Sequence, residues 1–282
     1  MSRILVTGAS GFIGRQLTPH LQGAGHEVVA VTGSDGNVSE RATWDALPAT
    51  DVVVHLAARS FVPASWDDPA AFVEVNVLGT VHALEYCRQH GAALVFLSSY
   101  MYGAPERLPI REDAPLAAQN PYALSKKLAE EACRFYAERF GIPVTVLRPF
   151  NVYGPGQALP FLIPFIIGQV ETGGGIRVKD LEPRRDYVYV GDLVEAITAA
   201  VAQPRGFRVL NVGSGESVSV ADLIAIIQET WGTSLPVSSE GVRRKDEIMD
   251  TIADVTAAAC ELGWRPRVSL RDGLAAIRQS SA

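Results

Sequence analysis

Long apolar runs are missing from the 282 residues, which argues against a membrane span of roughly 20 consecutive apolar positions. Cysteine is scarce. Cys87, Cys133 and Cys260 lie far apart, and no pair has metal-ligand or redox spacing. An odd, sparse set of thiols does not make a disulfide framework and fits reduced residues of a cytosolic protein. A basic stripe is missing too. The net charge is −6 with no long run of one sign, so the chain lacks the footprint of a nucleic-acid binder. Net charge excludes little about small anions, because local arginines are enough to hold them. The strand-like Arg3-Ile4-Leu5-Val6 leaves no room for a signal peptide before it, so a soluble, cytoplasmic protein is expected. Internal repeats and low-complexity segments are also lacking.

What is present is apolar residues, 48% of the chain, enough for one large core or two unequal ones sharing a cleft. Ile4–Thr7, Val28–Val31, Val52–Leu56, Leu94–Leu97 and Val144–Leu147 are short runs rich in β-branched residues or leucine. Such runs suit parallel strands covered on both faces. Amphipathic helical patterns at Phe12–Gln22, Ala70–Gln89 and Tyr122–Phe140 lie between them. The alternation predicts an α/β fold, a doubly wound parallel sheet of the Rossmann type. After Pro149 the texture changes. Pro155, Pro160 and Pro164 and the turn Gly173-Gly174-Gly175 interrupt the chain, and shorter helices are predicted near Asp192–Ala202, Val220–Thr230 and Leu270–Gln279. Residues 1–150 are therefore expected to form the dinucleotide-binding domain. Residues 151–282 form a smaller substrate-binding portion, some of which could return to the sheet.

Thr7-Gly8-Ala9-Ser10-Gly11-Phe12-Ile13-Gly14 follows the first strand and opens a helix. Gly8 allows the tight turn, Gly11 lets the backbone approach a pyrophosphate, and Gly14 permits close helix packing. The N–H groups at the helix start, from Gly11 through Phe12 and Ile13, would face the phosphates. A plain glycine-rich turn is the bland alternative; the strand before, helix after and second strand at Val28 oppose it. The acid that normally binds the adenosine ribose should stand at Thr32, but Asp35 comes three places late. Its absence removes the argument for NAD, and no nearby arginine or lysine argues for NADP. The cofactor is NAD or NADP.

Tyr122 and Lys126 stand four apart at a helix start, in Asn120-Pro121-Tyr122-Ala123-Leu124-Ser125-Lys126. That spacing puts both on one helix face. An ammonium beside the phenol would favour the phenolate and lower its pKa, suiting the tyrosine to proton transfer. Taken alone, the pair reads more simply as solvent-facing. It is joined by a buried strand ending in Ser98-Ser99-Tyr100-Met101-Tyr102-Gly103, at the sheet end where doubly wound folds hold ligands.

With these motifs the chain resembles the extended short-chain dehydrogenase/reductases, the NAD-dependent epimerase/dehydratase family, which act mainly on nucleotide sugars. The likeness also includes HLAA at His55–Ala58, NVLGT at Asn76–Thr80, RPFNVYGPG at Arg148–Gly156 and RRDYVYVGD at Arg184–Asp192, spanning nearly the whole chain. It implies a catalytic set of Ser98, Tyr122 and Lys126, with Ser99 the weaker alternative to Ser98. Leu56, Ala57 and Ala58 would join Tyr122, Lys126 and the glycine turn at the cofactor, and His55 would be structural. On the substrate side it implies Ser98, Tyr100, Asn151, Val178, Arg185 and Arg244, the two arginines holding a diphosphate. Planar guanidinium forks suit phosphate. Arg184 and Arg243 read equally well as solvated surface charges.

The family's dehydratases carry a glutamate where Tyr100 stands, often after an aspartate where Ser99 stands. Without an acid there, loss of water from C6 is disfavoured. Tyr100 is either a further proton donor or a ring in the pocket wall. The resemblance therefore implies a 4-epimerase or a 4-keto reductase; the stretch Val178-Lys179-Asp180-Leu181-Glu182 and Gly154-Pro155-Gly156-Gln157 resemble GDP-sugar enzymes. Dehydration ranks third, and a non-catalytic dinucleotide sensor is the alternative of another class. A homodimer is expected through Ala70–Gln89 and Tyr122–Phe140. Leu128, Ala132, Phe135 and Tyr136 form an apolar stripe that could pack on the sheet, leaving Ala129 and Cys133 for the partner.

Overall fold

Strands β1 (Arg3–Thr7), β2 (Glu27–Val31), β3 (Val52–His55), β4 (Ala93–Leu97) and β5 (Val144–Pro149) are the five apolar runs of the first half. In the computed structural model, which describes residues 1–159, 161–242 and 247–281, they pair in parallel in the order β2-β1-β3-β4-β5. Their connections carry α1 (Gly14–Gly23), α2 (Arg41–Asp45), α3 (Val62–Asp67), α4 (Pro69–Val73), α5 (Gly79–His90) and α6 (Pro121–Phe140). The doubly wound sheet predicted from sequence is present, and β1 and β3 flank its switch point.

The continuous helix predicted over Ala70–Gln89 is broken in its regularity. Asp68 caps α4 by accepting from the Ala71 N–H at 3.1 Å, and a π-helical turn at Glu74–Leu78 joins α4 to α5. Such turns are frequent at functional sites, and this one carries a buried polar side chain. That side chain is Asn76, which is 1% exposed.

Helix α6 starts where Asn120 Oδ1 accepts from the Ala123 N–H at 2.8 Å, with Pro121 in the first turn, and ends at Gly141 in a left-handed conformation. Ala129 and Cys133 face the sheet and are fully buried. Small side chains on that face let the helix lie close to the strands. Leu128 and Phe135 point outward, 41% and 54% exposed. The expectation that Ala129 and Cys133 serve a partner is thus reversed.

Beyond β5 come β6 (Asn151–Tyr153), α7 (Leu162–Thr172), β7 (Ile176–Val178), β8 (Arg184–Arg185) and β9 (Tyr187–Tyr189). Then follow α8 (Val190–Ala202), β10 (Phe207–Val212), β11 (Val218–Ser219), α9 (Val220–Trp231), β12 (Val237–Ser239), α10 (Thr256–Leu262) and α11 (Leu270–Ser281). Strand β10 returns to the sheet and pairs with β5 from Phe207↔Val144 to Val212↔Pro149. Apolar layers fill both faces of the sheet: one includes Leu17 of α1 and Ile197 of α8, the other Leu84 of α5 and Ala129 of α6. A third cluster joins α7, α9, α11, β7 and β9 around Ile166, Leu223 and Leu274.

All six sheet strands are parallel, so their C-terminal ends share one edge. The segments starting at Gly8, Thr32, Leu56, Ser98 and Phe150 therefore emerge side by side, and the site is built there.

Candidate active site

The glycine turn is dictated by space. Gly8 has φ +69°, and a Cβ on it would come within 2.8 Å of the Ala57 nitrogen. A Cβ on Gly14 would come within 2.3 Å of the Gly8 carbonyl oxygen. Gly11 is different: outside its own turn its Cβ would meet open space, as a position beside a ligand should. No side chain caps the start of α1, which leaves that end to an anion. Beside it a cleft of about 340 Å³ is lined by Gly8, Thr32, Gly33, Asn37, Ala57 and Arg59 among others. These features fit the adenosine and phosphate half of a dinucleotide. Among the described residues no group of three or more His, Cys, Asp or Glu could hold a metal.

His55 is a packing residue. Its Nδ1 shares a hydrogen bond with Thr7 Oγ1 at 2.8 Å, its ring lies against Trp44 and Phe96, and burial pushes its pKa down to about 3. A neutral imidazole at the β3 end suits the apolar surroundings.

Lys126 is 4% exposed. Its Nζ donates to the Leu97 carbonyl at 2.8 Å and lies 4.8 Å from the centre of the Phe96 ring. Burial lowers its pKa to about 8. Glu130, one turn further along α6, does not capture it, because Arg148 does. The Arg148–Glu130 pair closes at 2.6 Å with both side chains almost fully buried. Arg148 also donates to the Tyr102 hydroxyl at 2.9 Å, and Tyr102 donates to Asn211 at 2.5 Å. This network ties the loop after β4 to α6, β5 and β10.

Tyr122 stands one turn before Lys126. Burial raises its pKa, a hydrogen bond with the Ser99 hydroxyl works the other way, and the neighbouring Tyr100 phenol adds to the rise. The lowering expected from Lys126 is not what the site shows: the ammonium is turned to Leu97, and desolvation dominates. Ser98 is 3% exposed and its buried hydroxyl has no partner among the described residues. The two serines thus divide, Ser99 on the tyrosine and Ser98 holding an unused donor. An orphaned hydroxyl of this kind is costly unless a ligand engages it.

Near Tyr122, the Tyr100 hydroxyl donates to Asn151 Oδ1 at 3.2 Å and its ring stacks on Phe150. Asn151 is anchored in turn by donating to the Asp186 carbonyl at 2.9 Å. Arg185 donates to the carbonyls of Ile248 and Arg184 and pairs with Glu247; its charge is felt at Tyr100. Arg184 instead holds Ser217, Asp222 and Asp250. Val178 is 6% exposed and packs in the third apolar cluster, so its side chain belongs to the core rather than the cleft. Arg244 and Arg243 lie outside the described residues.

A glycine cradle, a Tyr-x-x-x-Lys pair and a hydroxyl-bearing strand end on one edge of a doubly wound sheet narrow the family sharply. The profile of the NAD dependent epimerase/dehydratase family matches residues 4–213. The chain belongs to that family. It is 31% identical to a putative UDP-glucose 4-epimerase of Methanocaldococcus jannaschii, over 96% of this chain and 95% of that protein. It is 30% identical to GDP-6-deoxy-D-mannose reductase of Pseudomonas aeruginosa, over 98% and 95%. The solved structure of RMD from Pseudomonas aeruginosa complexed with NADPH superimposes with a TM-score of 0.91 at 28% identity, covering 99% of this chain and 98% of that one.

Sequence reasoning gave no role to Asn76 within this family member, although it sits in the NVLGT segment. Asn76 Nδ2 donates to the Arg59 carbonyl at 3.0 Å and to Ser125 Oγ at 2.9 Å, while its Oδ1 accepts from the Arg59 N–H at 2.8 Å. Ser125 then donates to the Tyr122 carbonyl at 2.8 Å. One amide thus joins the cleft wall to the helix turn carrying Tyr122 and Lys126. The signal available in sequence was only an asparagine inside an apolar helix pattern.

Proposed function

We propose that this chain oxidises or reduces C4 of a nucleotide-diphosphate sugar with NAD or NADP, as a 4-epimerase or a 4-keto-sugar reductase. The observation carrying this is the group at the β4 end: Tyr122 bonded by Ser99, the orphaned hydroxyl of the adjacent Ser98, and Lys126 one helical turn after Tyr122 with its Nζ on the Leu97 carbonyl. The nicotinamide supplies a hydride acceptor or donor when bound. Tyr122 exchanges a proton with the C4 oxygen, Ser98 donates a hydrogen bond to that oxygen, and Lys126, whose ammonium is turned to Leu97 before the dinucleotide arrives, can favour the phenolate only by turning toward Tyr122 in the loaded enzyme. Arg185, with Arg244, holds the diphosphate.

Dehydration is disfavoured because Ser99 and Tyr100 stand where an acid would be needed to expel water, and both are neutral hydroxyls. A sensor without catalysis would not require Tyr122, Lys126 and Ser98 together. The three free cysteines support a reducing, cytoplasmic compartment, and no described helix is long and apolar enough to cross a membrane. A homodimer through the outer faces of α5 and α6 completes the proposal.

The test is to denature the purified protein, identify released dinucleotide and nucleotide by mass spectrometry, and assay turnover. Interconversion of UDP-glucose and its C4 epimer without net use of added cofactor supports the epimerase. Stoichiometric oxidation of NAD(P)H with a GDP-4-keto-6-deoxy sugar supports the reductase. Dinucleotide binding without turnover of either class would favour the sensor.

A further inference from the structure

Beside the adenosine end of the cleft lies a charge that the strand pattern does not announce. At the end of β2 the expected acid is replaced by Thr32, yet a carboxylate is there. Asp35 folds back so that its Oδ2 accepts from the Thr32 N–H at 2.8 Å and from the Thr32 hydroxyl at 2.7 Å. The Asp35 N–H in turn donates to the Thr32 carbonyl at 3.1 Å. Ser34 Oγ joins the group at 2.7 Å from Thr32 Oγ1. A three-residue turn thus returns an acid to the strand end that lines the cleft.

The turn is pinned from its far side. Thr43 of α2 donates to the Asn37 carbonyl at 2.8 Å, and Trp44 Nε1 donates to the Val38 carbonyl at 2.8 Å. Gly36, at φ +138°, lies so close to Thr43 that a Cβ would come within 2.4 Å of its hydroxyl. The carboxylate is therefore held by a braced loop. Its two hydrogen bonds from Thr32 keep its pKa below the ordinary value, so it is charged at neutral pH.

We propose that Asp35 selects the cofactor: its carboxylate, returned to the β2 end by Thr32, accepts the adenosine 2′-hydroxyl of NAD and repels the 2′-phosphate of NADP. This deepens the dinucleotide-dependent reading above and rests on it. The chemistry is that of an acid on the ribose, supplied from a residue three places off register. A phosphate bearing about −1.5 to −2 charges would meet a negative charge held directly against Thr32, which lines the cleft. Arg59 lines the same cleft from the loop after β3, where its main chain is clamped to Asn76, whereas Thr32 and Gly33 line it at the end of β2, where the dinucleotide fold places the ribose 2′-hydroxyl.

The experiment measures dissociation constants for NAD⁺ and NADP⁺ by calorimetry on the full chain stripped of retained dinucleotide, with circular dichroism to verify folding. The wild-type protein is expected to bind NAD⁺ at least about tenfold more tightly, the size of one well-placed charge–charge effect near a surface. Asp35→Asn keeps an acceptor for Thr32 without the charge, and is expected to narrow the ratio mainly by tightening NADP⁺. Asp35→Ala removes acceptor and charge together, and is expected to weaken NAD⁺ and bring the ratio near one. A wild-type preference for NADP⁺, or a ratio unmoved by both substitutions, overturns this assignment while leaving the dinucleotide reading intact. Binding of neither dinucleotide overturns both.

Discussion

Tyr100 lies flat on Phe150, ring centroids 4.8 Å apart and planes 13° from parallel. Its hydroxyl reaches Asn151 rather than open cleft. An offset stack fixes a ring, and a donor already engaged is poorly placed to shuttle protons. The arrangement therefore favours a wall that orients substrate over a second acid. Tyr100→Phe keeps the stack and is expected to retain turnover within about tenfold while raising KM. Tyr122→Phe keeps its ring too, yet should lose on the order of 10²–10⁴ in kcat with dinucleotide binding nearly intact. A Tyr100→Phe loss as deep as that of Tyr122→Phe would make Tyr100 a proton-transfer group.

The Lys126 ammonium is lost as pH rises through about 8, because burial lowers its pKa to that value. If that charge sustains the Tyr122 phenolate, kcat/KM, which reports the free enzyme, falls on the alkaline side with a limb near 8. Stability moves oppositely. A lysine with a lowered folded pKa leaves the unfolded chain binding more protons between the two values, so folding gains as pH rises through the folded pKa. The stability of Lys126→Met relative to wild type is thus expected to decline between about pH 7 and 9.5, as wild type sheds its buried charge. Thermal melts of both proteins at the two pH values check this, and a flat alkaline rate profile would remove Lys126 from that role.

Arg185 is held by Glu247 and two backbone carbonyls before any phosphate arrives. A guanidinium oriented in this way loses less freedom on binding than a solvated one. Arg185→Ala is expected to weaken nucleoside diphosphate by roughly 1.5–3 kcal/mol, the range for a hydrogen bond to a charged group, with dinucleotide affinity unchanged. Arg244→Ala tests the companion position in the same titration. Unchanged affinity in Arg185→Ala would move the diphosphate site elsewhere.

Much of this was legible because parallel strands buried on both faces write themselves as apolar runs; β1 to β5 do so. Strand β10 does not. Its Arg208 donates to Thr145 Oγ1 and its Asn211 enters the Tyr102–Arg148 network, so polar residues satisfied only in three dimensions interrupt the run. The glycine turn, Tyr122 and Lys126 were readable from spacing. The division between Ser98 and Ser99 was not, since adjacent hydroxyls differ only in where the strand end aims them. The Asp35 fold-back was hidden for a similar reason: a position rule looks for the acid in register, whereas the turn delivers it from outside.

The face that α6 turns to the sheet is set by a steric reason, and it decides which substitutions test a dimer. An apolar stripe was weighed as sheet-facing, but close approach to the strands favours small residues, so Ala129 and Cys133 took that side. Leu124, Leu128, Phe135 and Phe140 were left outward, between 41% and 54% exposed, with Val73 and Leu78 of the preceding helical segment at 41% and 43%. Single exposed apolar residues are ordinary, whereas a set along paired helices marks a surface to be covered. A two-fold contact would bury the same stripe on both copies. Phe135→Glu and Leu128→Glu are therefore expected to give a 30.3 kDa species in sedimentation at micromolar concentration, where the wild-type chain is expected to sediment as a dimer. Ala129→Glu, by contrast, would bury a charge against the sheet and should fail to fold stably, so it cannot report on association. A monomeric wild-type chain at that concentration would sink the dimer, because an interface of standard size holds well below it. Dimers surviving both outward substitutions would put the interface on another face.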